Sequence, residues 1–150
     1  MSKNRFWFNP SNEGIEPPKQ ATTGSAGIDL RADLKEPVRL YPGAIEMIAT
    51  GVYSSFNNDV VVMVCSRSGL ASKGIAVANA PGIVDSDYRG EIKVLLINHS
   101  ADQVVINPNE RIAQMVPVSI RVDDFDIIMG NPEATETERG AGGFGSTGVE

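Results

Sequence analysis

The stretch NAPGIVDSDYRGE, from Asn79 to Glu91, places two acids and an aromatic directly after a turn signal. Pro81 presets one backbone angle and Gly82 is free to take another, so the runs GIAVAN and GIVDSDY on either side are expected to pair as a hairpin. In an extended strand Asp85 and Asp87 face one side while Ser86 and Tyr88 face the other. A carboxylate at the mouth of such a hairpin can accept a proton from water, and a tyrosine ring can stack on a flat ligand or a sugar. Aspartates that simply cap a turn account for the same letters, and on these residues alone that account is favoured.

Three further segments carry chemistry. CSRSGLASKG sets Arg67 and Ser68 just before a potential helix, where free backbone amides and a guanidinium fork together make an anion site. A serine N-cap gives the same pattern. NERIAQM puts Glu110, Ile112 and Gln114 on one strand face, and a lone glutamine there means little by itself. The tail RGAGGFGSTG has the glycines of a phosphate-wrapping loop behind Arg139, but no lysine follows as a Walker A loop requires. Its one aromatic, Phe144, would contribute about 2 kcal/mol if buried, so it is expected to find a partner surface.

Other chemistries are limited by composition. With one histidine and one cysteine, the chain cannot assemble a four-ligand zinc site from those residues, and the zinc deaminase pattern is absent. His99, in NHSADQ, reads as a solvated residue of a turn, with a Ser-His-Asp triad as a remote alternative. Cys65, inside VVVMVCS, reads as a buried small side chain suited to a reducing compartment. A base, if the chain is an enzyme, is therefore expected to be a carboxylate. The net charge of -6 leaves no broad basic face for a nucleic-acid backbone, whereas a few placed arginines suffice for a small anionic substrate. No apolar run approaches the roughly 20 residues that span a bilayer, and MSKNRFWFNP lacks a secretory core. A soluble, cytoplasmic protein is expected.

The elements that must position these residues are short β-rich runs: RFWF, GIDLRA, AIEMIAT, DVVVMVCS, GIAVAN, GIVDSDY, EIKVLLIN, QVVINP, RIAQMVPVSI and DFDIIM. Gly, Pro, Asn, Asp and Ser clusters separate them, the spacing of an all-β sandwich or barrel. SRSGLASKG alone could hold a helix, limited by its glycines to about two turns. The strands VVVMV and VLLI are apolar on both faces. Burial between two sheets and burial against another subunit explain this equally well. With 150 residues and 41% hydrophobic content, one core is expected, burying about two-thirds of the unfolded surface. Composition changes after Met129, so the reading is a core over residues 1–130 and a flexible arm over residues 131–150.

AGIDLRA, SRSGLASKG, NAPGIVDSDYRGEIKV, ERIAQM and RGAGGFGSTG, in this order between Thr22 and Gly148, resemble the five motifs of the homotrimeric deoxyuridine triphosphatase (dUTPase) family. Each motif alone is a weak signal; five in order at suitable distances are highly specific. One departure is Ser66, where many members carry proline before Arg-Ser-Gly; it bears on the stiffness of that loop and not on its chemistry.

The resemblance implies a jelly-roll trimer with three shared sites that hydrolyses dUTP to dUMP and pyrophosphate, limiting uracil in DNA and supplying dUMP for dTMP synthesis. By motif position Asp85 would orient and deprotonate the water that attacks the α-phosphorus. Ser66, Arg67, Ser68 and Gln114 would grip the phosphates, Arg139 would reach the γ end, and Asp29 would support either the water shell of the metal or an arginine. Mg²⁺ would be chelated by the triphosphate itself, with no direct protein ligand.

Asn79, Gly82, Ile83 and Val84 would meet uracil largely through backbone groups, with Lys93 facing the same pocket and Tyr88 under the sugar. The arm would close with Phe144 on uracil and the Gly145 and Ser146 segment near phosphate. Two alternatives accompany this reading. One is a dCTP deaminase or bifunctional relative, which typically uses a glutamate in the base pocket, where this chain has IVDSDY. The other is a regulatory binding protein on the same scaffold.

Overall fold

The computed structural model describes residues 4–130. The strands, in chain order, are β1 (Arg5–Phe8), β2 (Lys19–Gln20), β3 (Ile28–Arg31), β4 (Val38–Leu40), β5 (Ile45–Ser55) and β6 (Val60–Cys65). There follow a helical turn α1 (Ser68–Ala71), β7 (Ile75–Val77), β8 (Gly82–Val84), β9 (Ile92–Asn98), β10 (Val104–Ile106) and β11 (Arg111–Ser119), then a 3-10 turn at Val122–Asp124. One sheet runs β1-β5-β9-β7, a second β2-β3-β11-β6-β8, and β10 pairs with β4. The all-β, jelly-roll-like sandwich expected from the strand spacing and the motifs is therefore present. No described helix is long and apolar enough to cross a membrane.

A single core joins the sheets. From one side come Ile48, Val52, Ile75, Val94 and Leu96; from the other Leu30, Val62, Val64, Ile112 and Met115, with Leu40 and Ile106 from the small sheet. Each such side chain contributes about 1.5–3 kcal/mol when fully buried. Alternation does the sorting in β9, where Ile92, Val94 and Leu96 are buried and Lys93 is exposed. Buried Asn98 ends that strand by donating from Nδ2 to the Leu40 carbonyl at 2.9 Å and the Asp102 carbonyl at 2.8 Å.

Several expectations need correction. β7 and β8 do not pair as a hairpin: β7 pairs with β9 and β8 with β6, so NAPG carries the chain from one sheet to the other. Facing sheets lie about 10 Å apart, and the four residues 78–81 can span up to about 14 Å, so this short turn is long enough to cross. The helix is a single turn, closed by 3-10-type bonds from the amides of Lys73 and Gly74. β2 and β4 were not expected from the pattern. Phe125–Met129 is not a strand; it pairs with no described strand, and Ile127, Ile128 and Met129 stand at least 84% exposed.

The doubly apolar strands are covered unequally. Leu95 and Ile97 of β9 are only half-buried, and their partners on β5, Met47 and Ile45, are 62% and 54% exposed. Burial between the chain's own two sheets thus fails for this outer face.

Candidate active site

β8 ends at Val84, and the chain turns immediately: the Tyr88 amide donates to the Asp85 carbonyl at 3.2 Å. Strand alternation therefore does not extend to Asp85–Tyr88, and the two side chains that it would separate line the same cavity. That cavity, of about 280 Å³, is walled by Asn79, Ile83, Val84, Asp85, Tyr88 and Lys93, with Met47, Glu91, Ile92 and Leu95 completing it. Gly82 lies buried beside it, its α-carbon facing the Asn79 amide closely enough that an added Cβ would sit 3.2 Å from Nδ2. Asp87 is not among the lining residues. The Asp85 carboxylate makes no hydrogen bond or ion pair to any described residue, so turn capping does not occupy it.

Tyr88 is held at the phenol end of its ring. Its hydroxyl donates to the Glu91 carbonyl at 3.0 Å, and a Cβ at Gly90 would fall 2.3 Å from that hydroxyl oxygen. Position 90 therefore has room for hydrogen alone beneath the ring.

A second group forms where β3, β11 and the end of β6 meet. Asp29 accepts from Arg67 Nε at 3.0 Å and from an Arg111 guanidinium nitrogen at 3.2 Å. Gln114, paired in register with both Asp29 and Cys65, donates from Nε2 to the Ser66 carbonyl at 3.1 Å. Ser66 Oγ accepts from the Val77 amide at 2.9 Å, a tie that proline could not make, so this loop is held by a side chain instead of a ring. Arg67 occupies the N-cap with no side-chain cap bond, and Ser68 is the first helical residue; the serine-cap account is not realised. A separate cleft of about 280 Å³ here is lined by Arg67, Gly69, Leu70, Lys73, Glu110 and Arg111.

Within one chain, the structure thus brings Asn79, Ile83, Val84, Asp85, Tyr88 and Lys93 together, and separately Asp29, Ser66, Arg67 and Gln114. The two cavities share no lining residue. Arg139, Phe144, Gly145 and Ser146 lie outside the described residues. The expected face of Glu110, Ile112 and Gln114 is broken by a bulge between Arg111 and Ala113, which sends Ile112 into the core with Ala113 and leaves Gln114 outside it. His99 is exposed, and its imidazole bonds to no described residue; Cys65 is half-buried rather than buried. No group of three or more His, Cys, Asp or Glu side chains suited to a metal occurs among the described residues.

Sequence reasoning missed four residues of these clusters. Arg111 was legible as a second basic group beside Gln114 in NERIAQM. Gly90 and Glu91 follow Tyr88 directly, but neither advertises that it holds the ring. Gly27 precedes Asp29, and its closeness to Gln114 arises from strand pairing that no local pattern reveals.

Fold and clefts together define a jelly-roll β protein with an acid-bearing pocket and a separate arginine-rich cleft. Comparison with known proteins agrees. Residues 13–148 match the dUTPase family. The deoxyuridine 5'-triphosphate nucleotidohydrolase of Neorickettsia sennetsu is 44% identical over 142 residues, covering 94% of this chain and 93% of that protein. That of Chlamydia pneumoniae is 45% identical over 143 residues, covering 95% and 97%. Among solved structures, the dUTPase of Staphylococcus bacteriophage 80alpha with dUPNHPP superposes with a TM-score of 0.80 at 23% identity, covering 99% of this chain and 100% of the other. The chain belongs to the dUTPase family.

Proposed function

We propose that this chain is a hydrolase that converts dUTP to dUMP and pyrophosphate, with Asp85 as the base. The observation that carries the assignment of the base is the Asp85 carboxylate, exposed, unpaired among the described residues and set in the cavity beside Tyr88. An unpaired carboxylate is free to accept a proton, whereas Asp29 is held between two guanidinium groups.

In this reading Asp85 takes a proton from water as the water oxygen bonds to the α-phosphorus. The bond from that phosphorus to the bridging oxygen breaks, and pyrophosphate leaves. Base assistance of this kind contributes about 10²- to 10⁴-fold. Backbone groups of Asn79 and Gly82–Val84 read uracil. Cytosine offers the opposite donor and acceptor pattern, leaving buried groups unpaired, a mismatch worth about 10⁴-fold or more in sites built this way. Tyr88, held over Gly90, packs under deoxyribose and excludes a 2'-hydroxyl. Arg67, fixed by Asp29, meets the phosphates together with Ser66, Ser68 and Gln114.

Mg²⁺ fits this site as a cation carried on the substrate phosphates. The described residues offer no cage of three ligating side chains, and Mg²⁺ characteristically keeps waters and takes phosphate oxygens. Bound to the triphosphate, it would neutralise negative charge.

We further propose a homotrimer with shared sites. Two features support it: the acid cavity and the arginine cleft are separate within one chain, and the outer face of β5 and β9 leaves Ile45 and Met47 open to solvent. Residues 131–150 serve as an arm that brings Arg139 to the γ-phosphate and Phe144 to uracil, with Gly145 and Ser146 near phosphate. A panel of dUTP, dCTP, dTTP and UTP, scored separately for pyrophosphate and ammonia with and without Mg²⁺, tests the activity. Pyrophosphate release from dUTP far faster than from the other three is expected; ammonia from dCTP would overturn the assignment. Truncation after Gly130 is expected to leave a folded oligomer with little activity, as seen by light scattering and turnover; an unfolded product would make the arm a structural element.

A further inference from the structure

Glu91 lies in the wall of the acid cavity, yet the reaction described above gives its carboxylate nothing to do. The register between β5 and β9 runs Ile48 opposite Val94 and then Val52 opposite Ile92, so β5 takes four steps where β9 takes two. The amides freed by this irregularity need acceptors. Glu91 provides one: its Oε1 accepts from the Thr50 amide at 3.1 Å and from the Gly51 amide at 2.8 Å. Thr50 Oγ1 secures the same place by donating to the Ile92 carbonyl. The Glu91 side chain is only 19% exposed, and its other oxygen stands 3.8 Å from Lys93 Nζ, a loose pair that contributes little. Bonds from amides to a carboxylate are the stronger kind, so the β5 irregularity is what anchors this residue.

The same residue accepts the Tyr88 hydroxyl on its main-chain carbonyl at 3.0 Å. Tyr88 itself sits in an exposed turn, 45% accessible, and its ring rests on Gly90. A continuous path therefore leads from the β5 backbone through the Glu91 carboxylate and carbonyl to the phenol. We infer that Glu91 is a positioning residue that clamps the Tyr88 ring against the β5 irregularity and so sets how sharply the site separates deoxyribose from ribose. The inference rests on the reading that Tyr88 meets the sugar.

The test compares kcat/KM for dUTP and UTP in the full-length protein. Glu91→Ala is expected to lower the dUTP-to-UTP ratio by about 3- to 10-fold, the weight of one hydrogen bond, with the dUTP loss mainly in KM. Glu91→Gln is expected to restore most of the ratio, because its amide oxygen still accepts both N–H groups. Tyr88→Phe, which leaves the sheet untouched, should lower the ratio by a similar factor, and the double variant Glu91→Ala with Tyr88→Phe should fall no further than the lower of the two singles. An unchanged ratio in Tyr88→Phe or Glu91→Ala, a Gln variant as poor as Ala, or additive losses in the double variant would overturn the inference. A loss of thermal stability in Glu91→Ala with an intact ratio would likewise reduce Glu91 to a sheet fastener. Wild-type protein that releases no pyrophosphate from either nucleotide defeats the dUTP reading itself, a result distinct from any of these.

Discussion

In the cavity between Asn79 and Lys93, Asp85 stands without a partner, whereas in the cleft around Arg67 the acid, both arginines and the glutamine each already have one. Asp85 bonds to no described side chain or amide; Asp29 holds two arginines, and Gln114 and Ser66 are tied to backbone. The contrast separates two kinds of work. A group that must exchange a proton with substrate water gains from being uncommitted, while groups that must meet phosphate gain from having their rotamers fixed beforehand, since less freedom is lost on binding.

The sharpest way to break this comparison is at the free acid. Asp85→Asn is expected to lower turnover by at least about 10²-fold while nucleotide affinity stays near wild type, because the amide keeps the shape and loses the proton acceptor. Single-turnover pyrophosphate release and equilibrium dUTP binding measure the two halves. Near-normal turnover would mean that Asp85 is merely a turn residue. Next in size is the committed acid. Asp29→Ala frees Arg67 and Arg111 together, and we expect KM to rise roughly 10-fold, with a stability loss on the order of 1–3 kcal/mol from the broken, partly buried ion pairs. Thermal melts and steady-state kinetics check both effects. A loss confined to kcat would assign Asp29 to the chemistry and erase the distinction between the clefts.

The sandwich was legible because β6, β9 and β11 carry strong β-branched and apolar runs bounded by turn residues, and the site was legible because its motifs are local. What local pattern could not convey is pairing. NAPG looks like a hairpin turn, but β7 prefers Leu96–Asn98 of β9 and β8 prefers Val62–Val64, so the turn changes sheets. Alternation was carried too far in two places. Past Val84 a turn gathers Asp85 and Tyr88 into one cavity, and at Ile112 a bulge redirects a residue read as lying beside Gln114 into the core. β2 and β4, at two and three residues, are too short to show any period. DFDIIM has the composition of a strand but gains no partner strand among the described residues, and β-propensity without pairing forms nothing.

The smallest expected effect probes how the arginine cleft is held. An added Cβ at Gly27 would lie 2.2 Å from Gln114 Oε1 and 3.1 Å from its Cβ, so Gly27→Ala must push the glutamine side chain away. Its 3.1 Å bond to the Ser66 carbonyl would then be lost. A neutral hydrogen bond contributes about 0.5–1.5 kcal/mol net, which corresponds to a two- to tenfold effect. We therefore expect Gly27→Ala to raise KM for dUTP by about two- to fivefold, with kcat nearly unchanged and the dUTP-to-UTP ratio unmoved, since the Tyr88 cavity shares no residue with this contact. In a Gln114→Ala background the substitution should cost almost nothing further, because the side chain it displaces is gone. A shift in the dUTP-to-UTP ratio would show that the two clefts are mechanically coupled and that free and committed groups do not act as separate units; a full additional loss in the double variant would place the role of Gly27 in the β3 backbone instead.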